Sequence, residues 1–429
     1  MEDLTTGSLS RHLMKTASFM LVTMVFQTLY FLVDLYWVGR LGKEAVAAVA
    51  IAGNLMFVVL AVTQMLGVGT TAMVSHAVGR KNRDTARHVF NQSQVLSVGV
   101  GLLFFALAMA ARGTYARGLA ADQITARLAS DYLTWFIPAM SMQFALVAMG
   151  AALRGTGNFK PGMVVQTATV IINIVLAPVL MFGWGSGRPL GVAGAAIASL
   201  VAVTIGVAWL SRYFLKADAF LQFDQSAKTP DVALWKKLLG IGLPAGAEFG
   251  LMAVYLLIVY VISRPFGAAA QAGFGIGLRI VQALFMPVVA LGFAVAPVAG
   301  QNFGAHKGAR VRQTFREGAM MASGVMLVCG TICHLIPAPL IGIFSNDAEV
   351  IAVGSEYLRI SSWNFIASGI IFVASSTFQA LGNTLPALAT SFMRILLVAI
   401  PAVIVSRWAG FELRWIWYLS VGATVFQMT

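Results

Sequence analysis

The chain has 429 residues, of which 59% are hydrophobic and only 10% are charged. A soluble domain carries about 25% charged residues, so this composition excludes a water-soluble globular protein and predicts an integral membrane protein. The net charge of +13 would suit a nucleic-acid partner, but the placement of the basic residues, described below, argues against one.

Twelve apolar stretches are long enough to cross a bilayer, since a membrane-spanning helix needs about 20 residues. In chain order they are predicted at 16–38, 45–75, 90–111, 129–152, 162–184, 190–215, 236–263, 270–300, 317–344, 350–380, 386–408 and 413–429. Their length and the lack of period-2 alternation exclude the strands of a transmembrane barrel. The last stretch is short, as expected of a chain that ends inside its final helix. No cleavage site follows the first stretch, so we expect that helix to direct insertion itself.

Two short loop sequences each occur twice at the same spacing. The sequence around Gly79 returns around Gly304 and that around Gly157 returns around Gly382, and both pairs lie 225 positions apart. Matched pairs of this kind indicate an internal duplication, which is frequent in transporters. We expect Gly79 and Gly304 to supply the left-handed conformation that ends a helix.

The fold class predicted from these observations is an all-α integral membrane protein. Since each half has six stretches, both halves enter the membrane from the same side, which gives twelve transmembrane helices in two parallel six-helix repeats around a central cleft. The predicted domains are an N-terminal lobe at 1–215, a cytoplasmic linker at 216–235 and a C-terminal lobe at 236–429.

Lys and Arg are distributed unevenly between the two predicted sides of the membrane. The N-terminus and the loops after the second, fourth, sixth and eighth stretches carry 17 of them, whereas the opposite loops carry 9. Short loops rich in Lys and Arg stay in the cytoplasm. We therefore predict both termini on the cytoplasmic side of a bacterial inner membrane and expect no nucleic-acid partner.

Asp34 is the strongest candidate for a functional residue. It lies inside the first apolar stretch, where a charged side chain costs about 2.5 kcal/mol or more. Gln27, Tyr30, Asp34 and Trp37 recur at a spacing that places them on one helical face. They predict a polar and aromatic stripe that lines a cavity, with Asp34 exchanging a proton or binding a cation. The alternative is an Asp that only hydrogen-bonds a neighbouring helix.

Glu248 is the one acid deep inside the predicted membrane stretches of the second half. Tyr255 lies two turns further on the same helical face and is predicted to line the cavity with it. Two interpretations stay open for Glu248, a role in coupling and a structural ion pair, for which Arg279 is the predicted partner.

No enzyme or metal site is predicted. The five His are scattered, Cys329 and Cys333 are four positions apart without further ligands nearby, and zinc needs more ligands than that. There is no Walker A motif for ATP hydrolysis. We expect no cofactor other than H⁺ or Na⁺ as the coupling ion.

Four segments resemble the multidrug and toxic compound extrusion (MATE) family, and the similarity extends over essentially the whole chain. They are Val33-Asp34-Leu35-Tyr36-Trp37-Val38-Gly39-Arg40-Leu41-Gly42, Ala152-Leu153-Arg154-Gly155-Thr156-Gly157-Asn158, Asn173-Ile174-Val175-Leu176-Ala177-Pro178 and Gly300-Gln301-Asn302-Phe303-Gly304-Ala305. The sequence looks closer to the DNA-damage-inducible branch than to the NorM-type branch. The resemblance implies a monomer in which two lobes form a V and export organic, often cationic or amphipathic, compounds against inward H⁺ or Na⁺.

The resemblance also implies roles for individual residues. Relatives carry an essential Asp at the position of Asp34 and a neighbouring Asn at the position of Asn173, which makes Asn173 the expected partner of Asp34. A second acid often stands where this chain has Ala177. NorM-type relatives hold Na⁺ with a Glu at the position of Glu248 and an Asp on the tenth helix, which this chain lacks near Ile370. These departures favour H⁺ over Na⁺.

The predicted function is therefore a secondary multidrug antiporter. The alternative within transport is a flippase of the same superfamily for lipids or lipid-linked oligosaccharides. A channel or a membrane-embedded enzyme would belong to another class. An enzyme would need clustered nucleophiles, bases or metal ligands, which we do not find.

Overall fold

The computed structural model of the protein describes residues 2–184, 187–216, 220–224, 229–408 and 410–429. Over these ranges the secondary structure is helical and contains no strand. The α-helices are α1 (Leu9–Gly39), α2 (Lys43–Gly79), α3 (Arg83–Leu119), α4 (Gln123–Gly155), α5 (Phe159–Phe182), α6 (Gly191–Phe214), α7 (Val232–Ser263), α8 (Gly267–Gly304), α9 (Gly308–Leu335), α10 (Pro337–Gly342), α11 (Ala348–Ser361), α12 (Phe365–Leu381), α13 (Leu385–Val405) and α14 (Arg414–Met428).

The helices occupy the positions of the twelve predicted stretches. Ten helical segments of the described chain are long and apolar enough to cross a membrane, and one of them, Val232–Gly304, contains both α7 and α8. Another, Ala348–Leu381, joins α11 and α12 through a 3₁₀ turn. The short α10 was not predicted, and α14, with 15 residues, fills the last predicted stretch. The predicted all-α membrane fold is confirmed.

The backbone repeats with the same period as the sequence. Among the described residues, Lys81 (φ 57°) and His306 (φ 58°) are the non-glycine residues with a left-handed φ, and they lie 225 positions apart. Gly157 and Gly382, the second matched pair, both have φ 77°. The turns from α2 to α3 and from α8 to α9 are therefore two copies of one turn, and the duplication is present in the conformation of the chain.

Gly79 and Gly304 permit a close helix contact and do not form a left-handed turn. Neither has a left-handed φ, so the expectation that they supply this conformation is wrong. A Cβ at Gly79 would overlap the backbone oxygen of Gln301, and one at Gly304 would overlap that of His76. His76 and Gln301 are themselves 225 positions apart. The ends of α2 and α8 thus cross backbone to backbone in a reciprocal contact that only glycine permits.

By its contacts the chain divides into two compact units. The first comprises Met1–Thr6, Ser18–Gly246 and Gly300–His306, and the second comprises Gly7–Ala17, Ala247–Ala299 and Lys307–Thr429. The start of α7 belongs to the first unit because Gly242 and Gly246 pack directly against the backbone of α2. The predicted lobes at 1–215 and 236–429 describe the sequence repeat and stay a prediction.

Buried aromatic side chains mark the core of each unit. In the first, Phe90 and Phe214 are fully buried and their ring centroids lie 4.4 Å apart. In the second, Phe274 stacks on Trp417 at 5.0 Å, and Tyr357 packs edge-on against Trp417 at 4.9 Å. Tight packing of this kind fixes the rotation of each helix, and so decides which side chains meet.

Part of the predicted linker lies along α3. The amide of Asn91 donates to the backbone oxygen of Gln222 at 2.9 Å and accepts from the backbone N–H of Asp224 at 2.9 Å. His88 and Asp231 bond at 3.0 Å, and this hydrogen bond lowers the pKa of the Asp231 carboxyl. The linker residues 217–219 and 225–228 lie outside the described residues.

Candidate functional site

Asp34 lies in the second half of α1 and is half-buried. Within the described part of the chain no hydrogen bond is made to its carboxylate, and the groups that interact with it electrostatically are the tyrosines Tyr30 and Tyr132. Tyr132 comes from α4 and is only 2% exposed. A carboxylate in a membrane helix without a cation or a hydrogen-bond donor is costly unless it is protonated or solvated. Asp34 is therefore well suited to pick up a proton.

A chain of three polar side chains runs beside Asp34. The Tyr30 hydroxyl, one turn before Asp34, bonds to Ser199 Oγ at 3.3 Å. Ser199, on α6, in turn accepts a hydrogen bond of 2.9 Å from the amide of Asn173, on α5. Asn173 is 4% exposed. Hydrogen bonds therefore join one side chain each of α1, α5 and α6, and Asp34 lies one turn after the first of them, Tyr30.

The expectation that Asn173 hydrogen-bonds Asp34 is not met, because its amide donates to Ser199 instead. The close packing of α5 on α6 brings Asn173 and Ser199 together. Tyr30 reaches Ser199 from α1. Ser199 and Tyr132 are the two residues here that sequence reasoning missed. A serine in an alanine-rich helix and a tyrosine in an apolar one do not stand out by residue type.

The remaining members of the predicted stripe, Gln27 and Trp37, differ in their exposure. Gln27 is exposed, whereas Trp37 is half-buried in an aromatic cluster at the end of α1. The Trp37 ring lies 5.9 Å from Phe182 and 5.6 Å from Trp184, both edge-on. The Arg40 guanidinium lies 5.2 Å from the centre of the Trp37 ring. The stripe thus ends in a stack of rings one turn beyond Asp34.

Glu248, on α7, has a different set of neighbours. The Ser375 hydroxyl from α12 lies 3.4 and 3.5 Å from its two carboxylate oxygens. Arg394, on α13, interacts electrostatically with both Glu248 and Tyr255. The Tyr255 hydroxyl donates to Ser420 Oγ on α14 at 3.1 Å. The Glu248 carboxylate therefore has a hydroxyl, from Ser375, and a cation, Arg394, as neighbours.

Arg279 is not the cation beside Glu248, contrary to the expectation from the sequence. It is exposed on α8, because the register of that helix turns Phe274, Gly277 and Ile280 into the core. Arg394 is the cation beside Glu248, the role that was predicted for Arg279. The sequence carried the relevant signal, an Arg inside an apolar stretch, but the second half has several such residues, and only the helix packing distinguishes them.

Within the described residues, no group of three or more His, Cys, Asp and Glu is arranged to hold a metal ion. Cys329 and Cys333 are free thiols, and Cys333 is fully buried. The functional groups present at the two polar sites are the carboxylates of Asp34 and Glu248 with the hydroxyl and amide groups around them.

Comparison with known proteins identifies the family of the chain. The family model MatE matches residues 20–179 and again residues 244–405, which together make up most of the chain. The two matched ranges are offset by close to 225 positions, as expected if the model describes one repeat.

Relatives of known name resemble the chain over most of their length. The probable multidrug resistance protein YoeA of Bacillus subtilis is 26% identical over 93% of this chain and 87% of its own length. The probable multidrug resistance protein NorM of Thermotoga maritima is 25% identical over 94% and 87%. The multidrug export protein MepA of Staphylococcus haemolyticus is 25% identical over 85% and 80%. Closeness to the DNA-damage-inducible branch stays a prediction.

Solved structures share the fold. A crystal structure of a MATE protein in complex with MaD3S has a TM-score of 0.91 at 22% identity and covers 99% of this chain and 95% of its own. A MATE structure in the bent conformation has a TM-score of 0.92 at 21% identity, with 99% and 94% covered. Sequence and fold agree, and the chain belongs to the MATE family.

Proposed function

We propose that this protein is a multidrug efflux antiporter that exports organic, often cationic or amphipathic, compounds in exchange for H⁺. The names of its relatives, which are multidrug resistance and export proteins, support the substrate class. The proposal further places the protein as a monomer in a bacterial inner membrane, with both termini in the cytoplasm, as the distribution of Lys and Arg predicts.

The observation that carries the proposal is the carboxylate of Asp34, which lies in a membrane helix without a hydrogen bond from the described residues. When it is protonated, the site is neutral and holds an organic cation poorly. When the proton leaves, the charge returns and a cation is attracted. Proton binding and substrate binding at Asp34 therefore oppose each other, which is what antiport requires.

The surroundings of the two acids favour H⁺ over Na⁺. A hard cation needs several oxygen ligands. Beside Asp34, the oxygens of Tyr30 and Ser199 are already engaged with each other and with Asn173. Beside Glu248, Arg394 supplies a positive charge that opposes a second cation.

The test is proton-driven uptake of a fluorescent organic cation into everted membrane vesicles. We expect Asp34→Asn to abolish uptake while the protein still inserts into the membrane. Asp131→Asn is the matched control, because Asp131 is an exposed acid on α4, and its uptake should equal that of the parent. Full uptake by Asp34→Asn at equal protein levels would refute the assignment of the coupling proton.

A second measurement separates the two ions. Substrate added to purified protein should release protons equally with and without Na⁺, and the release should disappear in Asp34→Asn. If release depends on Na⁺ and disappears in Glu248→Gln instead, the protein is coupled to Na⁺ through its C-terminal half. Lipid translocation without dye transport would favour the flippase alternative.

A further inference from the structure

The first helix of each sequence repeat begins with a contact to the third helix of the other repeat. At the start of α7, the indole N–H of Trp235 donates to Gln92 Oε1 on α3 at 3.0 Å. At the start of α1, the Ser10 hydroxyl donates to Glu317 Oε2 on α9 at 2.7 Å. Ser10 and Trp235 are 225 positions apart, and so are Gln92 and Glu317. The two contacts are therefore copies of each other, although the residues differ.

Further hydrogen bonds strengthen each contact. Gln92, which is 1% exposed, also accepts from the backbone N–H of Asp231 at 2.9 Å and donates to the backbone oxygen of Thr229 at 2.9 Å. On the other copy, Arg310 Nη2 donates to the backbone oxygen of Gly7 at 3.1 Å. In both copies the chain that leads into the first helix of a repeat is fastened to the other repeat.

The extreme N-terminus is fastened a second time, at the crossing of α2 and α8. Leu4 donates its backbone N–H to Gln301 Oε1 at 3.0 Å and accepts from the Asn302 amide at 3.1 Å. Leu4, Gln301 and Asn302 are all fully buried. The equivalent positions in the first repeat are His76 and Ala77, which have no amide side chain. The amides occur only in the copy that receives the N-terminus.

We propose that the Ser10–Glu317 contact, the N-terminal latch, and the Trp235–Gln92 contact, the linker latch, each hold the start of a first helix on the other repeat, and that the side that carries the basic loops opens only when both latches break. In this proposal, opening on that side takes each first helix away from the third helix of the other repeat, so both latches break. Their free energies then add, and the effects of removing them multiply. The inference rests on the proposed function only in that a transporter must open on this side.

The experiment measures how often this side opens, with purified protein in lipid nanodiscs and without substrate or ion gradient. In a background lacking Cys329 and Cys333, single cysteines are placed at Thr5 or Ser75, which are 7% and 0% exposed, and their labelling by a soluble maleimide is timed. Ser10→Ala removes one latch, and Trp235→Phe removes the indole N–H of the other while keeping an aromatic ring.

We expect each variant to accelerate labelling at both reporters about fivefold, because that ratio corresponds to the net free energy that one hydrogen bond usually contributes. The double variant should accelerate it roughly twenty-five-fold. The decisive observation is Trp235→Phe acting on the Thr5→Cys reporter, because Thr5 precedes α1, the helix whose start forms the other latch. Ser406→Ala and Trp408→Phe make the same chemical changes away from the latches, at a serine bonded to its own helical turn and at an exposed tryptophan. They should change nothing.

Loosening of the whole fold is measured with the native Cys333 as the reporter, since it is buried on α9. Its labelling should stay constant in the latch variants. Unchanged labelling at Thr5→Cys and Ser75→Cys, acceleration only at the reporter nearest the altered latch, or equal acceleration at Cys333 would each overturn the proposal. Because no transport is measured, such a result would leave the antiport function to its own test with Asp34→Asn.

Discussion

At the scale of single residues, Ser199 determines how the polar groups near Asp34 are arranged. It is bonded to Tyr30 on one side and accepts from the buried amide of Asn173 on the other. Buried amides are almost always paired, because an unpaired one loses its hydrogen bonds to water without replacement. Ser199 therefore keeps Asn173 satisfied and leaves the Asp34 carboxylate free to titrate.

We predict that Ser199→Ala destabilises the protein by about 1–3 kcal/mol, because the Asn173 amide then has no acceptor in a buried site. The measurement is unfolding in mixed detergent micelles. Asn173→Ala should lose less in the Ser199→Ala background than in the parent, with a coupling of about 1 kcal/mol in the double-mutant cycle. Ser141→Ala, whose hydroxyl bonds its own helix, serves as control. Strictly additive effects would show that the pair does not interact.

Single residues differ in how well the sequence announces them. Asp34 was found because a carboxylate in an apolar stretch is rare and costly. Ser199 carried no such signal, since a serine can bond a backbone oxygen of its own helix, as Ser199 does to Ala195. Its importance depends on which side chains of α1 and α5 reach it, and those are set by packing.

At the scale of elements, the ends of α2 and α8 show how small residues shape a helix crossing. The two helices meet through Gly79 and Gly304, each against the backbone of the other. Small residues allow such close approach in membranes, where packing rather than the hydrophobic effect holds helices together. The sequence indicated the right residues but the wrong reason, because a glycine at a helix end suits both a left-handed turn and a close contact.

We predict that Gly79→Ala lowers the free energy of unfolding by about 1–3 kcal/mol, the usual cost of an overpacked site, because its Cβ overlaps the backbone oxygen of Gln301. Gly53→Ala on the same helix is the control. Nothing lies within 4 Å of the Cβ it adds, and alanine favours a helix over glycine, so its stability should hold or rise. Equal stabilities of the two variants would mean that the crossing tolerates a side chain.

At the scale of the whole molecule, a duplicated scaffold carries unequal chemistry. The turns through Lys81 and His306 repeat to within one degree in φ. The acids do not repeat, because the position equivalent to Asp34 is the buried Val259 and the one equivalent to Glu248 is Thr23. Backbone geometry was retained in both copies, whereas each copy holds its own acid with its own neighbours.

We predict that the protein tolerates a break in the chain between residues 226 and 227. The linker is fastened on both sides of the break, at Gln222 and Asp224 through Asn91 and at Thr229 and Asp231 through Gln92. Co-expressed fragments 1–226 and 227–429 should therefore copurify and transport the dye. The same fragments with Asn91→Ala and Gln92→Ala should copurify less. Failure of the unmodified fragments to associate would show that the covalent link is required.

The sequence by itself determined the membrane class, the positions of the helices, the duplication and the two acids inside the membrane. Each of these depends on composition, on stretch length or on a residue type that is costly where it stands. Only the tertiary structure decided that Asn173 bonds Ser199, that Arg394 rather than Arg279 accompanies Glu248, and that each first helix starts on the third helix of the other repeat. Such pairs join distant parts of the chain, and the rotation of packed helices selects them.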